Sequence, residues 1–458
     1  MKKFERQRHI RYFSNCLRHL PQQYSSADTT RLTLVHFCVQ ALDILGCLPE
    51  AGTCGRIGED VYVDREGIVA WIYGLQTLPT REAPAVGSRG DAAVAGHVGG
   101  GFKGSTYLGP LANASAGDKR PEEPNKDEQP PHPYDHSHLA MTYVAICTLV
   151  TLGDDLSRLH KRAILSTIRS LQKEDGSFVA ISSNRCSGTS SSSASETGDD
   201  DCDLRFMYLA VTIWYLLTDP CATKKETGDE DNYINIPSAT SYLLSCVSYD
   251  GSIGLTPGRE GHGGSAFCGI AALHLMGVLE DVMAREDMRG WKKDLVRWCV
   301  MRQHSLPRQR ASEKERSLLH GYCEVENNAG MQGRPNKLED TCYSYWIGGT
   351  LHVLAESHLV DGWALREYVL TCQSPYGGFG KVLGAMPDLL HSFYSLAWLA
   401  LSGEQGCCDE EDRRSAEGDS VKTVGDNSDV RQQVVESLES LSKFDCALGI
   451  CAKRRPAF

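Results

Sequence analysis

Six segments of the chain are apolar on nearly every side, and each follows a short polar or glycine-bearing stretch. A helix without a polar face has to be buried all round, so these segments predict internal helices. They cover residues 34–45, 141–152, 207–217, 266–278, 343–354 and 392–401. More charged, amphipathic patterns such as 156–171 and 287–302 lie between them and predict outer helices.

A glycine-containing turn motif also recurs along the chain, after amphipathic segments. Its copies lie at 171–178, 249–252 and 372–379. Repetition of helix pairs is typical of helical arrays in which each repeat packs against its neighbours. Six inner helices alternating with six outer ones would close into a barrel. The predicted fold class is therefore all-α, an α/α toroid.

The repeat runs through the whole chain and predicts a single domain, residues 1–458. Its uneven spacing is explained by polar, low-complexity loop insertions near 84–100, 113–130, 185–201, 222–233, 304–330 and 403–432. Such compositions cannot bury enough apolar surface to order themselves. The insertions contain no chemical motif, so function is sought in the helical segments.

Charge and cysteine content narrow the class of protein. The net charge of −12 argues against a nucleic-acid surface. No run of about 18 apolar residues occurs and the N-terminus lacks the apolar core of a signal peptide, so we expect no membrane span and no secretion. Many of the eighteen cysteines lie in apolar segments, which is typical of reduced, buried thiols. The expected location is the cytoplasm.

The residues that lead into the inner helices form one set. If these helices all run in the same direction, the set gathers at one end of the barrel. Helix N-termini favour anions, so that end would suit a negatively charged ligand, and the interior behind it would be apolar and aromatic. The set comprises Thr33, His138, Ala140, Arg205, Phe206, His262, Cys342 and His391.

One helix start combines a carboxylate with a thiol. Asp340 and Cys342 are two positions apart, so they cannot share a face inside a helix, but they can converge where a loop turns into one. His391 holds the matching position of the next inner helix. Three protein ligands of O, S and N type with an open fourth position describe catalytic zinc. The alternative is a core histidine that is only hydrogen-bonded.

Cations precede this pair in the sequence. Arg334 and Lys337 can hold an anion of phosphate type; the alternative is a solvated turn around Pro335. Two glycines follow His262 and permit close backbone approach, which fits an anion site and also a plain helix start. Together with the Tyr343 hydroxyl, these groups would stabilise the charge on a departing diphosphate.

Three segments, 258–269, 333–346 and 387–394, resemble the β subunits of protein prenyltransferases, and within that family those of type I geranylgeranyltransferases. The resemblance implies an α/α barrel paired with a helical α subunit. It also implies transfer of a geranylgeranyl group from geranylgeranyl diphosphate to the cysteine of C-terminal CaaX sequences, X being preferably Leu or Phe. Rho- and Rac-type small GTPases are substrates of this kind.

The resemblance extends to individual residues. Lys381 stands ten positions before His391, where farnesyltransferases carry a magnesium-binding Asp, so it implies a catalytic ammonium and no need for magnesium. The implied ligands of one catalytic zinc ion are Asp340, Cys342 and His391. The implied diphosphate-binding set is His262, Arg334, Lys337, Tyr343 and Lys381.

The same resemblance implies which residues set specificity. Thr33 matches a farnesyltransferase Trp that shortens the lipid tunnel, and Leu390 matches a farnesyltransferase Tyr. Arg205 matches a position near the lipid and peptide path. The implied pocket for the last residue of the substrate is made by Thr33, His138, Ala140 and Phe206.

Two alternatives remain from the sequence. The first is a protein farnesyltransferase β subunit, against which Thr33, Lys381 and Leu390 count jointly. The second is a catalytically silent barrel that serves as a binding or scaffold subunit. The intact candidate zinc ligands argue against a scaffold, because it has no need of an open zinc site.

Overall fold

The structure is a computed structural model that describes residues 2–48, 56–57, 61–78, 99–106, 136–181, 202–218, 234–304, 329–403 and 427–455. The predicted insertions at 113–130, 185–201 and 222–233 lie outside these residues. The predicted insertions at 84–100, 304–330 and 403–432 overlap the described residues only at their ends. In the last of them a helix begins at Asn427.

Helices dominate the part of the chain that the structure describes. They are α1 Arg6–Arg18, α2 Arg31–Ile44, α3 Arg65–Gly74, α4 Leu139–Thr151, α5 Lys161–Leu171, α6 Leu204–Leu217 and α7 Ile236–Ser245. The remainder are α8 Gly263–Leu275, α9 Leu279–Ala284, α10 Trp291–Val300, α11 Thr341–Val353, α12 Gly362–Thr371, α13 Leu389–Gly403 and α14 Asn427–Glu439.

The strands are two residues long and form antiparallel pairs. β1 Arg56–Ile57 pairs with β2 Val61–Tyr62, and β3 Gln76–Thr77 pairs with β4 Gly101–Phe102. Two later pairs are β5 Phe379–Gly380 with β6 Pro387–Asp388, and β7 Phe444–Asp445 with β8 Ile450–Cys451.

The six predicted inner helices are all present, and each begins two or three residues before its predicted start. The polar residues that precede the apolar runs are the reason, because they form the cap and the first turn. His138, Asp203, His262 and Asp340 are the N-caps of α4, α6, α8 and α11, and each side chain accepts a hydrogen bond from a backbone amide in the first turn. Such capping supplies partners for amides that have none within the helix.

Two predicted outer helices are shorter than their amphipathic patterns. The pattern at 156–171 gives α5 from Lys161, and the pattern at 287–302 gives α10 from Trp291. Backbone conformation explains both. His160, which precedes α5, has ψ 67°, outside the helical range. Leu156 has φ 57°, and Gly290, which precedes α10, has φ 91°. A helix cannot run through a residue in this left-handed region.

The chain divides into two compact units. Unit 1 comprises Met1–Pro21, Phe37–Val63 and Cys246–Ala457, and unit 2 comprises Gln22–His36, Asp64–Ser245 and Phe458. Within unit 2, α4 packs against α6, and His36 Nδ1 lies 3.1 Å from Thr148 Oγ1. Within unit 1, α11 lies between α8 and α13. The twelve described cysteines are buried and form no disulfides, as predicted for reduced thiols.

A buried carboxylate ties the last described residues of unit 1 to α2. Asp43 is 0% exposed, and Arg454 donates to both of its oxygens, over 2.9 and 3.2 Å. Lys453 Nζ lies 3.1 Å from Asp43 Oδ1. The Ser442 amide donates to the Ile44 carbonyl over 2.8 Å. The chain from Ser442 to Arg454 is thus anchored to the C-terminal end of α2.

The close approach of α11 and α13 gives a prediction about stability. A Cβ on Gly348 would lie 2.3 Å from a ring atom of Trp398, which is fully buried. Gly348→Ala should therefore lower the free energy of unfolding by about 1–3 kcal/mol, the usual cost of overpacking. The matched control is Gly362→Ala on α12, where a Cβ meets nothing within 4 Å. Urea unfolding of both variants tests this, and equal stabilities would contradict it.

Candidate active site

The first part of the site lies at the N-terminus of α11. Asp340 is the N-cap, with extended backbone, and its Oδ1 accepts a hydrogen bond from the Cys342 amide over 2.9 Å. This bond folds the carboxylate back over the first turn of the helix. Asp340 and Cys342 are 6% and 7% exposed. The capping bond is thus what allows two residues two positions apart to converge.

The β5–β6 hairpin and the start of α13 supply the second part. Asp388 ends β6, and its Oδ1 accepts a hydrogen bond from the His391 amide over 2.9 Å. Its Oδ2 lies 2.6 Å from His391 Nδ1, so Nδ1 carries a proton and donates it to Asp388 whether or not the ring is charged. The other ring nitrogen, Nε2, lies 3.3 Å from Asp340 Oδ1.

These elements bring one oxygen, one sulfur and one nitrogen donor together. The ligand atoms of Asp340, Cys342 and His391 all lie within 4.8 Å of one another. Within the described ranges, this is the only group of three or more His, Cys, Asp or Glu residues with that geometry. The donor types and their number fit a catalytic zinc ion, which takes three protein ligands and keeps one position for substrate.

The electrostatics of the cluster follow from burial and from its own charges. Burial lowers the pKa of His391, but the hydrogen bonds and charges of Asp340 and Asp388 outweigh this and raise it to about 9. Burial raises the pKa of Asp340, yet the contacts with His391 and with the Cys342 amide bring it below its usual value. Burial and the Asp340 charge raise the pKa of the Cys342 thiol. A Cys342 thiolate therefore needs a cation beside it.

Lys381 lies next to this cluster. Its carbonyl accepts a hydrogen bond from the Thr341 amide over 3.0 Å, and Thr341 Oγ1 donates to the Gly380 carbonyl over 2.9 Å. These bonds attach the β5–β6 hairpin to the first turn of α11. Lys381 Nζ lies 3.6 Å from Asp340 Oδ2 while the side chain stays 60% exposed. The ammonium can therefore contact both the cluster and a ligand from solvent.

The start of α8 carries the next polar group. His262 accepts a hydrogen bond from the Gly264 amide on Nδ1, over 3.0 Å. Its Nε2 lies 3.0 Å from the Tyr343 hydroxyl. The two side chains therefore form one hydrogen-bonded pair, and Tyr343 directly follows Cys342 in the sequence.

The loop before α11 is held against the same pair. The Gly263 amide donates to the Gly333 carbonyl over 2.9 Å, and Gly333 leaves no room for a side chain under the Tyr343 ring. Arg334 follows directly and pairs with Glu260. Lys337 lies exposed in the same turn, in which Asn336 has φ 60°. The residues predicted to bind diphosphate are thus brought to neighbouring loops.

An aromatic cluster joins the second turns of α11 and α13. The rings of Trp346 and Tyr394 are 4.3 Å apart, and Tyr345 lies 5.1 Å from Tyr394. Burial, together with the neighbouring thiols of Cys268 and Cys342, raises the pKa of Tyr394. The hydroxyl therefore stays protonated in an apolar surrounding beside the donor cluster. This agrees with the apolar and aromatic interior expected from the sequence.

The predicted specificity residues of unit 2 lie at the starts of α2, α4 and α6. Thr33 Oγ1 is 3.8 Å from Met141 Sδ, and His138 Nδ1 accepts from the Ala140 amide over 3.1 Å. Phe206 packs edge-on against His138, with the ring centroids 6.2 Å apart. Arg205 forms an ion pair with Asp203, the cap of its own helix, over 2.6 Å. Leu390, in unit 1, is 41% exposed beside His391.

Two acidic residues of the site were not singled out from the sequence. Asp388 orients His391, and Glu260 contacts Arg334. A signal existed for Asp388, because an acid three residues before a helical residue is the spacing of a helix cap. No local signal existed for Glu260, whose partner is 74 positions away in the chain.

Comparison with known proteins decides the family. A family model described as the prenyltransferase alpha-alpha toroid domain matches residues 4–450. Geranylgeranyl transferase type-1 subunit beta of Arabidopsis thaliana is 33% identical over 406 residues, which cover 88% of this chain and 86% of the relative. This chain belongs to the geranylgeranyl transferase type-1 β-subunit family. The predicted family and the all-α toroid fold class are therefore confirmed.

Other relatives agree with membership of the type-1 β-subunit family. The type-1 subunit beta of Dictyostelium discoideum is 29% identical over 391 residues, covering 85% of this chain and 88% of the relative. A farnesyltransferase subunit beta of Pyricularia oryzae is 25% identical and is covered over only 62% of its length. These figures favour the type-1 family over the farnesyltransferase alternative.

A solved structure supports the fold. Candida albicans protein geranylgeranyltransferase-I complexed with GGPP superposes with a TM-score of 0.63 at 21% identity, covering 99% of this chain and 97% of that one. This similarity establishes a shared architecture. Among the described helices of the type-1 β-subunit chain, none has the length and apolar content needed to cross a membrane.

Proposed function

We propose that this chain is the catalytic β subunit of a heterodimeric type I protein geranylgeranyltransferase. The enzyme transfers the geranylgeranyl group of geranylgeranyl diphosphate to the cysteine of C-terminal CaaX sequences, with X preferably Leu or Phe. The observation that carries the proposal is the convergence of Asp340, Cys342 and His391 into one buried cluster of O, S and N donors. Membership of the type-1 β-subunit family supports it.

The cluster is the site of one zinc ion. When bound, zinc deprotonates a coordinating thiol and so supplies a nucleophile at neutral pH. Asp340 and Cys342 would hold the ion from the start of α11, and His391 would hold it through Nε2, the nitrogen that faces Asp340. Asp388 holds the His391 ring in that orientation by accepting its Nδ1 proton. The burial of Asp340 and Cys342 limits the access of water to the cluster.

The cationic and hydroxyl groups beside the cluster bind the leaving diphosphate. His262 and Tyr343 form one hydrogen-bonded pair on the adjacent helix starts, and Arg334 and Lys337 come from the preceding loop. Lys381 places a fixed ammonium 3.6 Å from Asp340, on the same side as the cluster. Because an ammonium can neutralise the developing negative charge, the reaction does not require magnesium.

The specificity residues decide lipid length and substrate sequence. Thr33 leaves room for the fourth isoprene unit, and Leu390, in place of a farnesyltransferase Tyr, favours the geranylgeranyl group. Arg205 lies near the lipid and peptide path. The pocket for the last residue of the substrate is formed by Thr33, His138, Ala140 and Phe206; the contact between the His138 and Phe206 rings supports this. The aromatic cluster around Trp346 and Tyr394 offers an apolar surface for the isoprenoid chain.

The partners follow from the same proposal. A prenyltransferase α subunit completes the heterodimer, and the protein substrates are CaaX proteins such as Rho- and Rac-type small GTPases. The reaction takes place in the cytoplasm.

The decisive experiment measures lipid transfer by the heterodimer formed on co-expression with a prenyltransferase α subunit. Matched peptides ending in Leu or Ser are offered with geranylgeranyl or farnesyl diphosphate, with and without magnesium. We expect geranylgeranyl transfer that prefers the Leu peptide and does not depend on magnesium. Farnesyl transfer to the Ser peptide would contradict the assigned lipid, and bound zinc without any transfer would support the scaffold alternative.

The role of Asp388 can be tested separately. Asp388→Ala removes the acceptor that orients His391, and partners of this kind are worth about 10- to 100-fold in metal affinity. We expect zinc affinity, measured by competition with a chelator, to fall by that factor. Asp361→Ala is the matched control, because Asp361 also caps a helix of unit 1 but contacts no ligand of the cluster. Equal zinc affinities in the two variants would refute the assigned role.

A further inference from the structure

Arg334, which the proposed function assigns to the diphosphate, already has an anionic partner. Its Nη1 donates a hydrogen bond to Glu260 Oε1. The Arg334 and Glu260 side chains are 37% and 61% exposed, so both remain accessible to a ligand from solvent. A guanidinium binds carboxylate and phosphate oxygens in the same way, through its N–H donors. Glu260 therefore occupies a donor that a diphosphate would use.

The backbone determines that these two side chains face each other. The Gly263 amide donates to the Gly333 carbonyl over 2.9 Å, which joins the two loops beside Glu260 and Arg334. A Cβ on Gly333 would lie 2.1 Å from Tyr343 Cζ, so this loop is pressed against the ring. Because the two loops are held together in this way, the Glu260–Arg334 ion pair forms without a ligand.

The loop that carries Glu260 is also held from its other side. The His262 amide donates to the Ile253 carbonyl over 3.0 Å. A Cβ on Gly261 would lie 2.4 Å from Ser252 Cβ, and one on Gly254 would lie 2.6 Å from the Arg259 carbonyl oxygen. The segment that presents Glu260 therefore has little freedom to carry it away from Arg334.

We propose that Glu260 is a displaceable counter-ion of Arg334, which a diphosphate replaces on binding and which re-forms the ion pair when the diphosphate leaves. The inference rests on the assignment of Arg334 in the proposed function. An exposed ion pair is weak, so a diphosphate, with its larger charge, displaces the carboxylate at little cost. The ion pair that is broken offsets part of the free energy that Arg334 gains from the diphosphate. Glu260 thus weakens diphosphate binding and favours its release.

The test is a double-mutant cycle read out by calorimetric binding of inorganic pyrophosphate to the zinc-loaded heterodimer. Glu260→Gln keeps the shape of the side chain and removes its charge. We expect pyrophosphate to bind about two- to fivefold more tightly, the range that corresponds to an exposed ion pair. In the presence of Arg334→Ala, adding Glu260→Gln should leave the affinity unchanged, because the competition acts through Arg334.

The control variant is Glu356→Gln, which removes an acid paired with Lys292 over 3.0 Å and distant in sequence from the diphosphate set. It should leave pyrophosphate affinity unaltered. Equal tightening by Glu260→Gln with and without Arg334 would overturn the inference in favour of a general field effect. Weaker binding by Glu260→Gln would overturn it as well, since Glu260 would then position Arg334 for the ligand.

Failure of the inference and failure of the proposed function give different results. If Arg334→Ala alone does not weaken pyrophosphate binding, the assignment of Arg334 to the diphosphate is wrong, and the exchange is overturned with it. If the wild-type heterodimer binds pyrophosphate but transfers no geranylgeranyl group, the proposed function fails. The double-mutant cycle then still decides whether Glu260 and pyrophosphate compete for Arg334. Melting temperatures of all variants confirm that they are folded.

Discussion

Cys342→Ala is expected to remove zinc from the heterodimer and to abolish geranylgeranyl transfer. The variant loses the only sulfur donor of the cluster and leaves Asp340 and His391, 3.3 Å apart, as the remaining ligands. Even a residue that only orients a metal ligand is worth about 10- to 100-fold in affinity, so loss of a ligand itself should exceed about 100-fold. Zinc content by atomic emission and the single-turnover transfer rate measure both effects.

Cys299→Ala is the matched control for this variant. Cys299 is fully buried on α10 and lies outside the donor cluster. The substitution removes an equally buried sulfur atom, so any effect of cavity formation is reproduced without loss of a ligand. It should retain one zinc per heterodimer and the transfer rate of the wild type. Full zinc content in Cys342→Ala would refute the assigned ligand set.

Replacing Lys453 and Arg454 together by methionine is expected to lower the free energy of unfolding by about 3–5 kcal/mol, the cost of leaving a buried charge without a partner. Their shared partner, Asp43, is 0% exposed, and both cations lie within 3.2 Å of its oxygens. Urea unfolding of the heterodimer measures the change. The transfer rate of the molecules that remain folded should stay near that of the wild type.

Two further variants test the cause of this loss. Adding Asp43→Asn to the double variant removes the buried charge, so part of the lost stability should return. Lys293→Met, at an exposed position of α10, controls for the loss of a surface cation and should change the free energy of unfolding by less than about 0.5 kcal/mol. A double variant as stable as Lys293→Met would mean that Asp43 does not need its partners.

Much of the fold could be predicted because the signals are local. The apolar segments at 266–278 and 343–354 correspond to α8 and α11, since burial on every side leaves a mark in each stretch of sequence by itself. The helix starts were less accurate, because the polar residues that cap a helix look like loop until their hydrogen bonds are known. His262 and Asp340 show this, as each lies at the boundary and caps the helix that follows.

The part of the candidate site that could be predicted consists of residues at equivalent positions of the helical repeat. Cys342 and His391 lead into successive inner helices, so their proximity follows from the packing of α11 against α13. The roles of Thr33, His138 and Arg205 remain predictions, because the structure shows their neighbours but not a bound lipid or peptide.

The sequence by itself determined the helical repeat, the type of donors in the cluster and the family to which they point. Only the tertiary structure showed that Asp388 orients His391, that Glu260 forms an ion pair with Arg334, and that Asp43 anchors the last described residues. The Glu260 and Asp43 contacts join residues 74 and 411 positions apart. Apolar periodicity can be recognised within each segment by itself. The pairing of one charge with another depends on where the folded backbone places the two residues.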